Sequence, residues 1–244
     1  MGHFRSCHRL IRDLVADAES RNDLHTSNHT RAGSMLHIEL MHNNPDAARD
    51  DIDACTTDLS QQGFTLLHMY ALRGRICREL YLGNGKEALE LAGQLHRRFK
   101  RSTIGQVALM QIYDLEMQTN SHLCAAREEL LPVRDVVSLV RSNSQRILRF
   151  GLGWTNALAM LWEAAAFQLS GNTRDAAQSY LAASEMFAAE EMLLYQHAAG
   201  YRWGMITGGQ AGEQAVEKAV GALRREDVAR PAAVIAMVAP RMVK

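Results

Sequence analysis

Apolar residues recur at steps of three and four along most of this chain, and short polar or glycine-bearing breaks interrupt them. Phe4, Leu10, Ile11, Leu14, Val15 and Ala18 keep that period, which predicts a helix over about 4–20. Met35, Leu36, Ile38, Leu40 and Met41 place a second over about 24–42. Asn44 reads as an N-cap with Pro45 at the first helical position and Asp46 in the first turn. The helix it opens is expected to run to about Gln62, with Ile52, Cys55 and Leu59 inward and Gly63 as its left-handed terminator. Residues 64–82 form the most apolar stretch of the first half: Phe64, Leu67, His68, Ala71, Leu72, Ile76, Leu80 and Tyr81 all follow helical steps. Further helices are expected over about 86–100 and, opened by Ser102, to about Thr119.

The middle, about 121–152, is the least regular part, interrupted by Pro132 and by Gly151 and Gly153. Its helix over about 133–149 is polar and rich in arginine, which predicts loose packing. Stronger patterns follow over about 154–169, 173–189, 191–207 and 211–225, and Pro231 opens a last short helix ending near Pro240.

The breaks resemble one another. Asn44-Pro45-Asp46-Ala47-Ala48, Asn84-Gly85-Lys86-Glu87-Ala88 and Gly171-Asn172-Thr173-Arg174-Asp175-Ala176-Ala177 carry the same punctuation, with weaker copies at Cys124-Ala125-Ala126 and from Gly208-Gly209 to Ala215. A period of roughly 40 residues marks stacked helical hairpins. The predicted fold is therefore all-α. It is a tetratricopeptide-like, right-handed superhelix of about ten to twelve helices in antiparallel pairs, one domain over 1–244 with its weakest join around 131–153. Ala177 is expected where two helices pack closely. Val234, Ile235, Met237 and Val238 are apolar where a solenoid needs a polar cap, so they either fold back on the preceding pair or mark a dimer contact.

Composition narrows the function. Lys plus Arg and Asp plus Glu number 27 each, so nucleic acid and anionic membrane surfaces are not expected partners. Aromatics make up 6% of the residues, which leaves Ala, Leu and Met to build the core. Cys7, Cys55, Cys77 and Cys124 form no C-x-x-C pair and read as buried or half-buried free thiols of a reducing, cytoplasmic compartment. No run of 18 apolar residues occurs, so no membrane span is expected.

Motifs that suggest chemistry are thin. Gly83-Asn84-Gly85-Lys86 lacks the earlier glycine and the following Ser or Thr of a phosphate loop, because Leu80 and Glu87 hold those positions. No Asp-Phe-Gly or His-Arg-Asp occurs, so this chain lacks the parts of phosphoryl transfer. His25 and His29 share one helix face, as in zinc-protease helices, but Thr26 stands where the glutamate belongs. Glu128-Glu129 and Glu190-Glu191 point apart on a helix and read as solvated faces. The run from His96 to Arg101 complements a helix C-terminus or meets an acidic partner. Trp154, Trp162, Phe167, Tyr180, Phe187, Tyr195, Tyr201 and Trp203 fill helix contacts or line a groove.

Several stretches carry a family resemblance. They are Ala164-Ala165-Ala166-Phe167-Gln168-Leu169-Ser170-Gly171-Asn172, Ala183-Ser184-Glu185-Met186-Phe187, Met192-Leu193-Leu194-Tyr195 with Ala198-Ala199, and Arg230-Pro231-Ala232 to Met237-Val238-Ala239-Pro240. The region from Phe150 to Lys244 is similar to the extreme C-terminal region of large bacterial serine/threonine protein kinases, where a kinase domain is followed by an ATPase and tetratricopeptide-like repeats. Gln62-Gly63-Phe64 with His68, and Leu80-Tyr81-Leu82-Gly83-Asn84-Gly85, resemble the preceding repeats. The chain departs from that pattern at Ala233 and Arg241, and it carries neither kinase nor ATPase motifs. The resemblance implies a stand-alone descendant of the repeat region or a fragment of a longer frame.

The expected function is a non-catalytic protein-interaction module with no catalytic, cofactor-binding or metal-binding residue. Its concave face would take a protein or peptide, such as a signalling protein carrying a kinase or ATPase domain. The alternative is a small-molecule sensor with its pocket among the aromatics of the second half. A third reading puts a metal on His25 and His29.

Overall fold

One turn geometry is used seven times. Asn22, Asn43, Gly83, Glu129, Gly171, Glu191 and Asp227 all take positive φ. In each case the next residue's N–H reaches back five positions to a helix carbonyl, as in Asn44 to Glu39, Asn84 to Glu79 and Asn172 to Phe167. This left-handed helix terminator satisfies carbonyls that would otherwise be orphaned and reverses the chain within two residues. The three clearest sequence breaks lie on it. In those, an asparagine follows the left-handed residue as N-cap, and the alanine four residues on (Ala48, Ala88, Ala176) is fully buried.

The computed structural model describes residues 3–57, 59 and 63–240. Among them no strand occurs, and the fold is an all-α helical repeat. The helices are α1 (Phe4–Ser20), α2 (Leu24–Thr30), α3 (Leu36–Met41), α4 (Pro45–Thr56), α5 (Leu66–Leu82), α6 (Gly85–Phe99), α7 (Ala108–Arg127), α8 (Val133–Leu148), α9 (Gly153–Leu169), α10 (Thr173–Ala189), α11 (Leu193–Thr207), α12 (Gly209–Arg225) and α13 (Pro231–Val238). A π-helical turn, Arg31–Met35, joins α2 to α3, and a 3₁₀ turn, Thr103–Gln106, precedes α7.

Sequence neighbours pack pairwise from α5 through α12, and α5 also touches α7. Helices α5, α7, α9 and α11 form an inner layer. On α5, α7 and α9, buried side chains occur on nearly every face, whereas α6, α8, α10 and α12 bury only a stripe. A helix buried all round lies between two layers, and one with a single apolar stripe borders solvent.

The inner side is closed by the chain's own end. Helix α13 packs on α3 and α5 as well as on α11 and α12, burying Val234, Ile235, Met237 and Val238. Arg202 of α11 donates to the Ala239 carbonyl at 2.8 Å, and Asn120 of α7 donates to the Met237 carbonyl at 3.4 Å. The terminal apolar residues therefore fold back, and they reach beyond the preceding pair to the first half of the chain.

Several expectations need correction. Helix α4 ends at Thr56 rather than near Gln62, where Thr56 and Thr57 hydroxyls bond back to the Ile52 and Asp53 carbonyls; Gln62 itself lies outside the described residues. The helix expected to stop at Thr119 runs on to Arg127, because Thr119, Asn120 and Ser121 are buried polar residues of an inner helix. Helix α8 is not loosely packed: Val136, Val140 and Ile147 are buried, and Asn143 donates to the Thr119 hydroxyl at 3.1 Å. The fully buried small residue of α10 is Ala176, while Ala177 is half-buried. No described helix is long and apolar enough to cross a membrane.

Candidate functional site

Where the inner helices converge, they leave a cavity of about 290 Å³. One wall comes from the first helices: Phe4, Cys7 and Ile11 of α1, Gly33 and Ser34 of the π-helical turn, and His37, Ile38 and Met41 of α3. Arg73 and Cys77 of α5 and Tyr113, Glu116 and Met117 of α7 form the floor. Leu194 and Tyr195 of α11 with Met237 and Val238 of α13 complete it. Two residues of the π-helical turn thus line the cavity, and such turns are often found at functional sites.

The chemistry of the cavity is concentrated in a few groups. Arg73 lays its guanidinium over the Tyr113 ring, 4.3 Å from the centroid, and approaches His37 Nε2 at 3.5 Å. Its Nε is buried and has no hydrogen-bond partner among the described residues. Glu116, 3% exposed, accepts a hydrogen bond from the Tyr195 hydroxyl at 2.5 Å. Among the described residues neither charge has an ion-pair partner within 4.0 Å.

Burial acts on Arg73, His37, Cys77 and Tyr195. It opposes the charge on Arg73, yet Cys77, Glu116 and Tyr113 outweigh it and hold the guanidinium more firmly protonated than usual. Burial and the Arg73 charge bring His37 down to about 3, so its imidazole is neutral. Burial pushes the Cys77 thiol up to about 11 and, with Glu116, raises the Tyr195 phenol well above its ordinary range. The cavity thus holds one fixed cation and one carboxylate among neutral donors and apolar walls. Cys77, as a protonated thiol, is a poor nucleophile.

A second, more open groove of about 640 Å³ lies between the ends of α6 and α8. His96 Nδ1 and Asp114 Oδ2 are 2.7 Å apart there, beside Lys100, Arg146 and Arg149. Burial raises the Asp114 carboxyl above its usual value, with His96 pulling the other way. Part of the basic run therefore has an internal acidic partner on α7.

The remaining candidate residues are dispersed. His25 and His29 stack with ring centroids 4.1 Å apart, and His29 Nδ1 lies 2.8 Å from the His25 carbonyl. No group of three or more metal-ligating side chains occurs among the described residues. Trp162, Tyr180 and Phe187 are core; of the aromatics in the second half, Tyr195 alone lines the central cavity. Glu128 is no merely solvated charge, since its carboxylate accepts from the Gly85 N–H at 2.6 Å and caps α6. Cys7 is exposed rather than buried, while Cys55, Cys77 and Cys124 are buried.

Sequence reasoning missed Arg73 and Glu116. The available signal was a charged residue set directly beside apolar steps of α5 and α7: Arg73 follows Ala71 and Leu72, and Glu116 follows Leu115. Comparisons with protein-family models, with curated proteins and with solved structures found no match to this chain.

Proposed function

We propose that this chain is a helical-repeat sensor module that binds a small molecule in its central cavity. The observation that carries this reading is Arg73: its buried Nε has no partner among the described residues and borders a lined cavity of about 290 Å³. An unpaired buried donor on a cation costs on the order of 1–3 kcal/mol or more, and a ligand acceptor removes that cost. The volume sits at the lower end of the roughly 300–1,000 Å³ typical of ligand pockets, which suits a metabolite rather than a folded partner. The inner face, where a peptide would be expected to lie in a solenoid, is occupied by α13, and that favours the small ligand over a docked helix.

The cavity also suits signalling. Met237 and Val238 of α13 line it, so occupancy bears directly on how the end of the chain docks against the first helices. The test is thermal unfolding of the purified chain across a panel of metabolites, with Arg73→Met beside it. A ligand at 100 times its dissociation constant is expected to stabilise the protein by about 2.7 kcal/mol, and Arg73→Met is expected to abolish that gain. A panel that shifts neither protein overturns the reading.

A further inference from the structure

We infer that the ligand is a zwitterion of amino-acid size with an apolar side chain, its carboxylate on Arg73 and its ammonium on Glu116. This rests on the central cavity being a ligand site. The inference comes from a pair of opposite charges that line one cavity and act on each other through space without meeting in a direct ion pair. Arg73 and Glu116 both line it, and among the described residues neither is in an ion pair within 4.0 Å. Buried charges are normally paired, because leaving a charge out of water uncompensated is costly. Two unpaired opposite charges facing one space are complementary to a molecule that carries the same two charges in reverse.

Each charge is already oriented. The Tyr113 ring beneath the Arg73 guanidinium leaves its edge for a planar, bidentate partner, which a carboxylate is. The Tyr195 hydroxyl holds one oxygen of Glu116 and leaves the carboxylate further lone pairs for an ammonium donor. Ile38, Met41, Met117 and Leu194 give the cavity an apolar wall that suits an aliphatic or thioether side chain. A simple fatty or keto acid would engage Arg73 but leave Glu116 uncompensated, and an amine would do the converse.

The experiment is a calorimetric and thermal-shift series with the full chain. The probes are L-leucine and L-methionine, their N-acetyl derivatives, their amides and the corresponding desamino acids. The free amino acids are expected to bind, and removal of either charge from them is expected to weaken binding about 10- to 100-fold, the range for a hydrogen bond to a charged group. Glu116→Gln is expected to erase the preference for the free amine over the N-acetyl form, and Arg73→Gln the preference for acid over amide. If the desamino or N-acetyl acids bind as well as the free amino acids, the zwitterion is overturned while the ligand cavity stands. If no probe and no member of the wider metabolite panel binds, both readings fall. The ligand series decides the matter even if a variant does not fold.

Discussion

The Ala229 N–H donates to the Met41 carbonyl at 2.8 Å, joining the turn before α13 to the end of α3 across most of the chain. The contact is reinforced nearby. Arg5 meets Asp227 at 2.7 Å, and Tyr81 and Arg230 both reach Asn43. A stack in which each repeat touches only its neighbours unfolds piecemeal, whereas here the last helix returns to α3 and α5.

Closure therefore predicts cooperative unfolding that depends on α13. Ile235 is fully buried, and Ile235→Ala is expected to cost about 2–5 kcal/mol. Urea unfolding followed by circular dichroism and by Trp fluorescence should give coincident, destabilised transitions. Melting of the terminal helix with no effect on the remainder would show that α13 is an appendage.

The small residue after each repeat turn sets helix separation. Ala176 is fully buried and Ala177 is not. Ala176→Leu is expected to overpack α10 and cost about 1–3 kcal/mol, and Ala177→Leu less than 1 kcal/mol or so. Paired denaturation curves of the two variants check the register.

Gly85 opens α6 tight against the backbone of α7. A Cβ placed there would lie 2.9 Å from the Ala125 backbone, and backbone does not move aside as a side-chain tip does. Gly85→Ala is expected to destabilise by roughly 1–3 kcal/mol, against the usual gain of an alanine inside a helix. A stabilised variant in a melting scan would refute the close contact.

Acid should weaken the fold before its carboxylates titrate. His37 is held at about 3, by burial first and Arg73 second, and burial lowers His122 and His197 as well. These groups bind protons more readily when unfolded. The stability they contribute is present above about pH 6.5 and is lost as the pH falls toward their folded values. For His37 the loss is on the order of 1 kcal/mol per pH unit. Unfolding free energies at pH 7.5 and 5.5 are expected to fall less steeply for His37→Gln than for the parent, even though raised carboxyls at Asp51 and Asp114 act in the opposite sense.

Thiol chemistry gives a quick check of burial. Cys7 is exposed, and Cys55, Cys77 and Cys124 are buried with thiols pushed up to about 11 by desolvation. A thiol reagent is expected to modify one cysteine in the native protein and all four of the sequence in denaturant. Rapid native reaction at Cys77 would mean that the cavity is open to solvent.

What the sequence determined by itself was local. Helical period, the Asn-led breaks and Pro231 located most helices, because hydrogen bonding and capping act within a few residues. Turns at Gly83 and Gly171 were legible for the same reason, since glycine takes positive φ at little cost. The identical turns at Glu129, Glu191 and Asp227 were not, because there the surrounding helices impose a conformation that the side chain disfavours. Tertiary structure alone decided that α7 runs on through Thr119, Asn120 and Ser121, whose polar groups become internal when α8 and α13 cover them. It alone placed Arg73, Glu116 and Tyr195 around one cavity. Their meeting depends on the sum of small rotations between stacked pairs and on the return of α13, and no local pattern carries that sum.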